Sequence, residues 1–181
     1  MFENEALRRM LLDVDEEAFL ALGPLSVRPK VVIVGGSALM LRDLTSRPAT
    51  HDVDVLEADA ELERILSHYP AINASVAAHA DEIPYNFESR LTRLDLPTQL
   101  IDYLTPSLED LVVMKLYAWR PNDIADLTSS ALLAALDWEL LEHLVYDEDE
   151  SKASTLSERR WHEMTLAYEQ FKKGAEHAAD V

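Results

Sequence analysis

The run VVIVGG, Val31 to Gly36, constrains this chain more than any other stretch. Four consecutive β-branched residues suit a short strand buried on both faces. Two of the four glycines in the whole 181-residue chain end it, and SALMLRDL follows with helix-forming residues. The order is therefore strand, tight turn, helix. Glycines at such a handover let backbone N–H groups approach an anion closely, because no side chain stands in the way. Two named versions of this device are excluded. A P-loop requires a Gly-Lys-Ser/Thr end and the dinucleotide fingerprint requires three spaced glycines, whereas the chain offers Gly35-Gly36-Ser37. A tight turn or close packing of strand on helix is the purely structural alternative.

The next alternating segment is HDVDVLE, His51 to Glu57. On a strand, residues two apart share a face, so Asp52 and Asp54 stand together while Val53 and Val55 turn to the core. Two neighbouring carboxylates repel each other unless something positive lies between them. A hard divalent cation shared with phosphate oxygens would relieve that repulsion. The alternative is a solvated edge strand with acidic outward residues.

Elsewhere the pattern is mainly helical. Leu7, Met10, Leu11, Val14 and Ala18 form one stripe of a first helix, Glu3 to Ala21, with acids opposite and Gly23-Pro24 after it. Asp59 is expected to cap a helix carrying Leu62, Ile65, Leu66 and Tyr69, and residues 71–84 have no clear pattern. NFESRLTRLDL and TQLIDYL read as two further strands. TPSLEDLVVMKLYAW then opens with Ser107 and Asp110 at capping-box spacing, and Leu108, Leu111, Val112, Lys115 and Trp119 fall along its helix. NDIADLTSSALLAAL, DWELLEHLVY with Asp137 as N-cap, and a long last helix whose tail is expected to fray after Lys173 complete the chain. Strands confined to the first half predict an α+β fold: a small mixed β-sheet core flanked by helices over 1–105, then a helical region over 106–181.

Composition limits what such a fold could do. No cysteine is present, which removes disulfides, thiolate metal sites and a cysteine nucleophile. The net charge of -18 argues against broad binding to nucleic acid or anionic lipid, and Arg8-Arg9, Arg28/Lys30, Arg42/Arg47 and Arg159-Arg160 are scattered. No window approaches eighteen uninterrupted apolar residues, so neither a membrane span nor a signal peptide is expected and the cytoplasm is the expected compartment. The six histidines form no spaced ligand set, although His51 adjoins Asp52. Trp119, Trp138 and Trp161 sit in helical patterns and read as core.

GGSAL, then Arg47 and Thr50, then DVDV together resemble the signature of the nucleotidyltransferase (polymerase-β-like) superfamily. The closer resemblance is to bacterial nucleotidyltransferase-like proteins grouped with the AbiEii-type toxins and with the domain family DUF6036. There an R-x-T-x-D-x-D run precedes L-x-x-x-K-L-x-A and R-x-x-D-x-x-D. Here those are SRPATHDVDV and EDLVVMKLYAWRPNDIADL. The likeness runs from Val31 to about Trp138 and more faintly to Tyr168–Phe171.

The resemblance implies transfer of a nucleoside monophosphate from an NTP with release of pyrophosphate. It places Asp52 and Asp54 on Mg²⁺ or Mn²⁺, and Gly35, Gly36, Ser37, Arg47, Lys115 and Arg120 on the nucleotide. Lys115 and Asp123 join the Asp pair as catalytic candidates, with Asp123 or Asp126 orienting Lys115 or a metal-bound water. On the residues alone, Lys115 also reads as a snorkelling surface lysine and Asp126 as a helix N-cap. Asp102 and Asp95 compete for a third carboxylate, and the more apolar surroundings of Asp102 favour it as a further metal ligand. Pro121-Asn122 departs from the basic residue often seen before the Asp. The implied acceptor is a tRNA, a protein hydroxyl or a small molecule. The implied partner is an antitoxin, if the chain is the toxin of a toxin-antitoxin pair. The competing function is a catalytically inactive module of the same fold that binds a nucleotide or a protein partner.

Overall fold

The computed structural model describes residues 1–73, 81–155 and 157–179. These fall into two compact units. The first holds Met1–Asp43, Leu91–Pro106 and the described part of Arg47–Ala78, and the second holds Leu44–Ser46, the described part of His79–Arg90 and the described residues from Ser107 onward. Two short segments from the first half of the sequence therefore pack with the helical unit.

In the first unit, β1 (Lys30–Val34) is the central strand of a five-stranded mixed sheet with β2 (Val53–Ala58), β3 (Ile72–Asn73), β4 (Thr92–Arg93) and β5 (Asp102–Thr105), in the order β3-β2-β1-β5-β4. Its four β-branched residues are all buried, as a strand with a neighbour on each side requires. β1 runs antiparallel to β2 and parallel to β5, while β3 is parallel to β2 and β4 antiparallel to β5. The register between β1 and β2 shifts after Val32, so that Leu56 is an extra residue and both Val55 and Leu56 are buried. Beyond that bulge, Asp54 lies opposite Val34, at the end of β1.

Helices α1 (Asn4–Leu22), α2 (Gly35–Leu41) and α3 (Glu63–Leu66) belong to the same unit. α1 buries Leu7, Leu11, Val14 and Ala18, the expected stripe, together with Asp15. That carboxylate accepts the backbone N–H groups of Gln99, Leu100 and Ile101 at 2.6, 2.9 and 2.6 Å. It fixes the chain just before β5, so the acidic face of α1 is not wholly solvated. Asp59 caps no helix: its Oδ2 accepts the backbone N–H of Lys30 at 2.8 Å, and a 3-10 turn (Ala60–Leu62) precedes α3. The strand expected in NFESRLTRLDL shrinks to the two residues of β4. Before it, Phe87–Arg90 is a 3-10 turn in which the Asn86 carbonyl accepts both the N–H and the hydroxyl of Ser89.

The second unit is built on α4 (Leu108–Ala118), α5 (Pro121–Leu127), α6 (Ser130–Ala135), α7 (Trp138–Tyr146), α8 (Ala153–Thr155) and α9 (Glu158–Ala179), which continues past Lys173. α4 is buried from Leu108 to Leu116. Ser107 accepts the N–H of Asp110 at 3.1 Å and Asp110 accepts the N–H of Ser107 at 3.2 Å, which is the expected capping box. Arg90 bridges the buried carboxylates of Asp110 (2.9 Å) and Glu150 (3.1 Å), tying the 81–90 segment to two helical regions. Trp138 stacks on Phe171 at 5.3 Å, Trp161 donates to the Val145 carbonyl at 3.0 Å, and Trp119 ends α4 in a left-handed conformation. Among the described residues, no helix is long and apolar enough to cross a membrane.

Candidate functional site

β1 passes into α2 with no intervening loop, so the expected tight turn is the first turn of the helix itself. Gly35 has φ +68°, and a Cβ there would lie 2.7 Å from Asp54 Oδ2. A Cβ on Gly36 would overlap Arg47 Nη2 and stand 3.0 Å from its Cζ. The glycine pair is thus required by two charged side chains of the same unit, a carboxylate on one residue and a guanidinium on the next. Ser37 is buried and its hydroxyl donates to the Val34 carbonyl at 3.0 Å, closing the turn rather than facing outward.

Asp54 is half-buried in β2, and its Oδ1 accepts from Asn73 Nδ2 at 3.1 Å, Asn73 being its register partner on β3. Sequence reasoning missed Asn73 because it falls in a stretch without periodicity, and no other signal marks it. Asp52 lies just ahead of β2 and is exposed. Thr50, anchored by a backbone bridge to Phe2, donates its hydroxyl to the Asp52 carbonyl at 3.2 Å. The Asp52 carboxylate has no hydrogen bond or ion pair among the described residues. His51 is exposed beside it.

Asp102 does not join this group. It pairs in register with Lys30, at the start of β1, whereas Asp54 pairs with Val34 at its end. At roughly 3.3 Å per residue the two carboxylates are separated by roughly 13 Å along the strand. Asp102 instead meets Arg28 at 2.6 Å and Arg93 at 3.2 Å, which explains a carboxylate among apolar neighbours without any metal. Asp95 is exposed beyond β4, and its carbonyl accepts from Arg8 at 3.0 Å. Neither supplies a third carboxylate to the Asp52/Asp54 end. Among the described residues, no three His, Asp or Glu side chains converge in a way that could hold a metal ion.

In the second unit, Lys115 is only 4% exposed, and its ammonium donates to Asp126 Oδ2 at 2.7 Å and Asp123 Oδ1 at 3.0 Å. It is not a snorkelling surface lysine. Asp126 is not a helix N-cap either: it lies inside α5, is fully buried, and accepts on Oδ1 from the Thr45 hydroxyl at 2.7 Å. Asp123, the third residue of α5, spends its other oxygen on the backbone N–H of Arg120 at 3.2 Å, while the Arg120 side chain is exposed. The spacing of eight and eleven residues from Lys115 works because Trp119 reverses the chain between α4 and α5, bringing the first turns of α5 back against the end of α4.

A family model described as a nucleotidyltransferase of unknown function (DUF6036) matches residues 9–176. The chain belongs to this family. The match spans nearly the whole of this DUF6036 chain, both units included. No curated protein and no solved structure matches it.

Proposed function

We propose that this DUF6036 chain transfers a nucleoside monophosphate from an NTP to an acceptor hydroxyl. The observation that carries the reading is the end of β1. There the half-buried Gly35-Gly36 backbone, the Arg47 guanidinium packed on it, the half-buried Asp54 and Asp52, whose carboxylate has no partner among the described residues, are gathered on one unit.

Asp52 and Asp54 offer hard oxygen donors, and Mg²⁺ commonly binds through one or two carboxylates together with substrate phosphates and water. The pair fits an Mg²⁺ or Mn²⁺ ion brought with the nucleotide better than an ion held in an all-protein cage. When bound, such an ion would offset the charge of the attacking and leaving oxygens. The chain's own residues supply the rest. Asn73 holds Oδ1 of Asp54, and Oδ2 lies against Gly35. Arg47 presents a fork of N–H donors suited to phosphate oxygens. In the transfer, the acceptor oxygen bonds to the α-phosphorus, the bond from that phosphorus to the β-phosphate bridging oxygen breaks, pyrophosphate leaves, and the acceptor proton passes to a carboxylate or to water. In the second unit, Asp123 and Asp126 fix the orientation of the buried Lys115 ammonium. The family resemblance supports a toxin whose acceptor is a tRNA, a protein or a small molecule, with an antitoxin as partner.

Titration calorimetry of each Mg²⁺-NTP into the wild-type chain and into Asp52→Asn/Asp54→Asn tests the reading. Metal-dependent binding of a nucleotide, lost in the double variant, is the expected result. Nucleotide binding that ignores both the metal and the double substitution would sink it. A non-catalytic module that binds a nucleotide is the second reading, favoured by the absence of a third carboxylate among the described residues. Release of pyrophosphate on incubation with NTP and cell extract separates the two.

A further inference from the structure

On the far side of β1 from β2, the first unit contains a polar cavity of about 330 Å³, walled by α1, the end of α2, and β4 with β5. Three arginines line it, Arg8, Arg42 and Arg93, against two aspartates, Asp43 and Asp95. The chain carries 34 acidic and 16 basic residues, so a basic lining is the opposite of what the surface at large presents.

Arg8 is the telling residue. Its guanidinium is half-buried and donates to Asn4 Oδ1 at 3.2 Å, to the Asp95 carbonyl at 3.0 Å and to the Leu41 carbonyl at 2.5 Å. All three acceptors are neutral, and no carboxylate pairs with it among the described residues. Those bonds hold the fork rigid and use three of its five N–H groups, leaving one on each terminal nitrogen. A fixed, partly desolvated cation with no carboxylate bonded directly to it is stabilised when an anion meets its remaining N–H groups. Thr105, on the same wall, is fully buried, and its hydroxyl has no hydrogen-bond partner among the described residues. Buried hydroxyls are normally satisfied. Thr92, its partner across the β4–β5 ladder, donates to the Thr105 carbonyl at 3.4 Å, and Arg42 reaches the Pro106 carbonyl at 3.5 Å from the end of α2.

We propose that this cavity binds the phosphate group of a small phosphorylated molecule. A carboxylate is planar and is met by one fork in its plane, whereas a tetrahedral oxyanion accepts from several directions. Here donors stand on α1, on the end of α2 and on β5. The volume is at the low end for small-molecule sites, which run from roughly 300 Å³ upward, and admits a phosphate with a short organic body. β1 separates β5 from β2, so two strand spacings, roughly 10 Å, lie between this cavity's wall and the Asp54 strand. The inference therefore stands whether or not the Asp54 end turns over a nucleotide.

The test is calorimetry on the full chain in EDTA, with inorganic phosphate and glycerol phosphate as probes and acetate as the carboxylate control. Saturable binding of both phosphates is expected, tighter for glycerol phosphate. Arg42→Gln and Thr105→Val should each weaken it roughly ten-fold, the scale of one lost hydrogen bond to a charged group. Arg8→Gln should abolish it, but Arg8 also ties α1 to α2, so its result counts only where circular dichroism shows a folded variant. The other two substitutions carry the decision if it does not fold. Absence of saturable binding to the wild type, binding that survives both Arg42→Gln and Thr105→Val, or acetate bound as tightly as phosphate would each overturn the proposal.

Discussion

The two charged clusters of this chain, one in each unit, differ in access to water. In the first unit, Asp52 is exposed with no partner among the described residues, Asp54 is half-buried, and the glycine backbone beside Arg47 bears no side chain. In the second, Lys115 is 4% exposed, Asp126 is 0% exposed, and every oxygen of Asp126 has a donor. A half-exposed cluster can exchange one partner for another at little cost. A buried one cannot, because removing any member leaves an uncompensated charge in a medium of low dielectric. Spacing in the sequence makes the two look alike, and burial assigns them different work.

Asp126→Ala should give the largest effect. It leaves Lys115 with Asp123 alone and removes the bond from the Thr45 hydroxyl, so a loss of about 3–5 kcal/mol in urea unfolding is expected. A loss below about 1 kcal/mol would show that the buried cluster is not a structural element. Asp52→Asn provides the contrast. Its unfolding free energy should stay within about 0.5 kcal/mol of wild type, as for an exposed site, while the metal-dependent binding of nucleotide disappears.

The glycine pair sharpens the comparison. Gly35→Ala forces a side chain onto φ +68° and into Asp54 Oδ2, and should cost about 1–3 kcal/mol. At Gly36 the clash is with the far end of a flexible arginine, which can swing aside. Gly36→Ala should therefore cost less stability than Gly35→Ala and act mainly on nucleotide affinity, by displacing Arg47. Equal losses of stability at the two positions, with affinity untouched at Gly36, would refute the view that the glycine is there for the guanidinium.

A third way to separate buried from exposed charge is pH. Burial pushes the Glu150 carboxyl up, but its hydrogen bonds to Arg90 and Asn86 outweigh that and hold it below its ordinary 4.5. The folded state then binds fewer protons than the unfolded one. The stabilisation is complete above pH 4.5 and is lost as pH falls through the depressed value. Urea stability measured from neutral pH down to acid should fall more steeply for wild type than for Glu150→Gln. Identical slopes would mean that Arg90 does not favour the ionised carboxylate.

Much of this was legible in local patterns. VVIV followed by Gly-Gly marked a buried strand running into a helix, and Ser107 with Asp110 marked the start of α4, because both rest on contacts between near neighbours in sequence. The alternation at Asp52 and Asp54 also located β2, although the bulge at Leu56 that sets Asp54 opposite Val34 left no trace. What escaped were contacts across long separations. Asp15 looked like one more acid on a solvated face and instead captures three N–H groups more than eighty residues away. Asp126 looked like a cap because an Asp before an apolar run usually is one, and only the fold brings Thr45 to it.

Asp102 is the smallest and most specific case. Apolar neighbours suggested a metal ligand, but the register of β5 puts it at the opposite end of β1 from Asp54, between Arg28 and Arg93. Both partners are partly exposed, so Asp102→Asn should cost no more than about 0.5–1 kcal/mol. Its effect on metal-dependent nucleotide binding should be nil, in contrast to Asp54→Asn. Loss of that binding in Asp102→Asn, with unfolding unchanged, would mean that the register separating the two carboxylates is not the one the working protein uses.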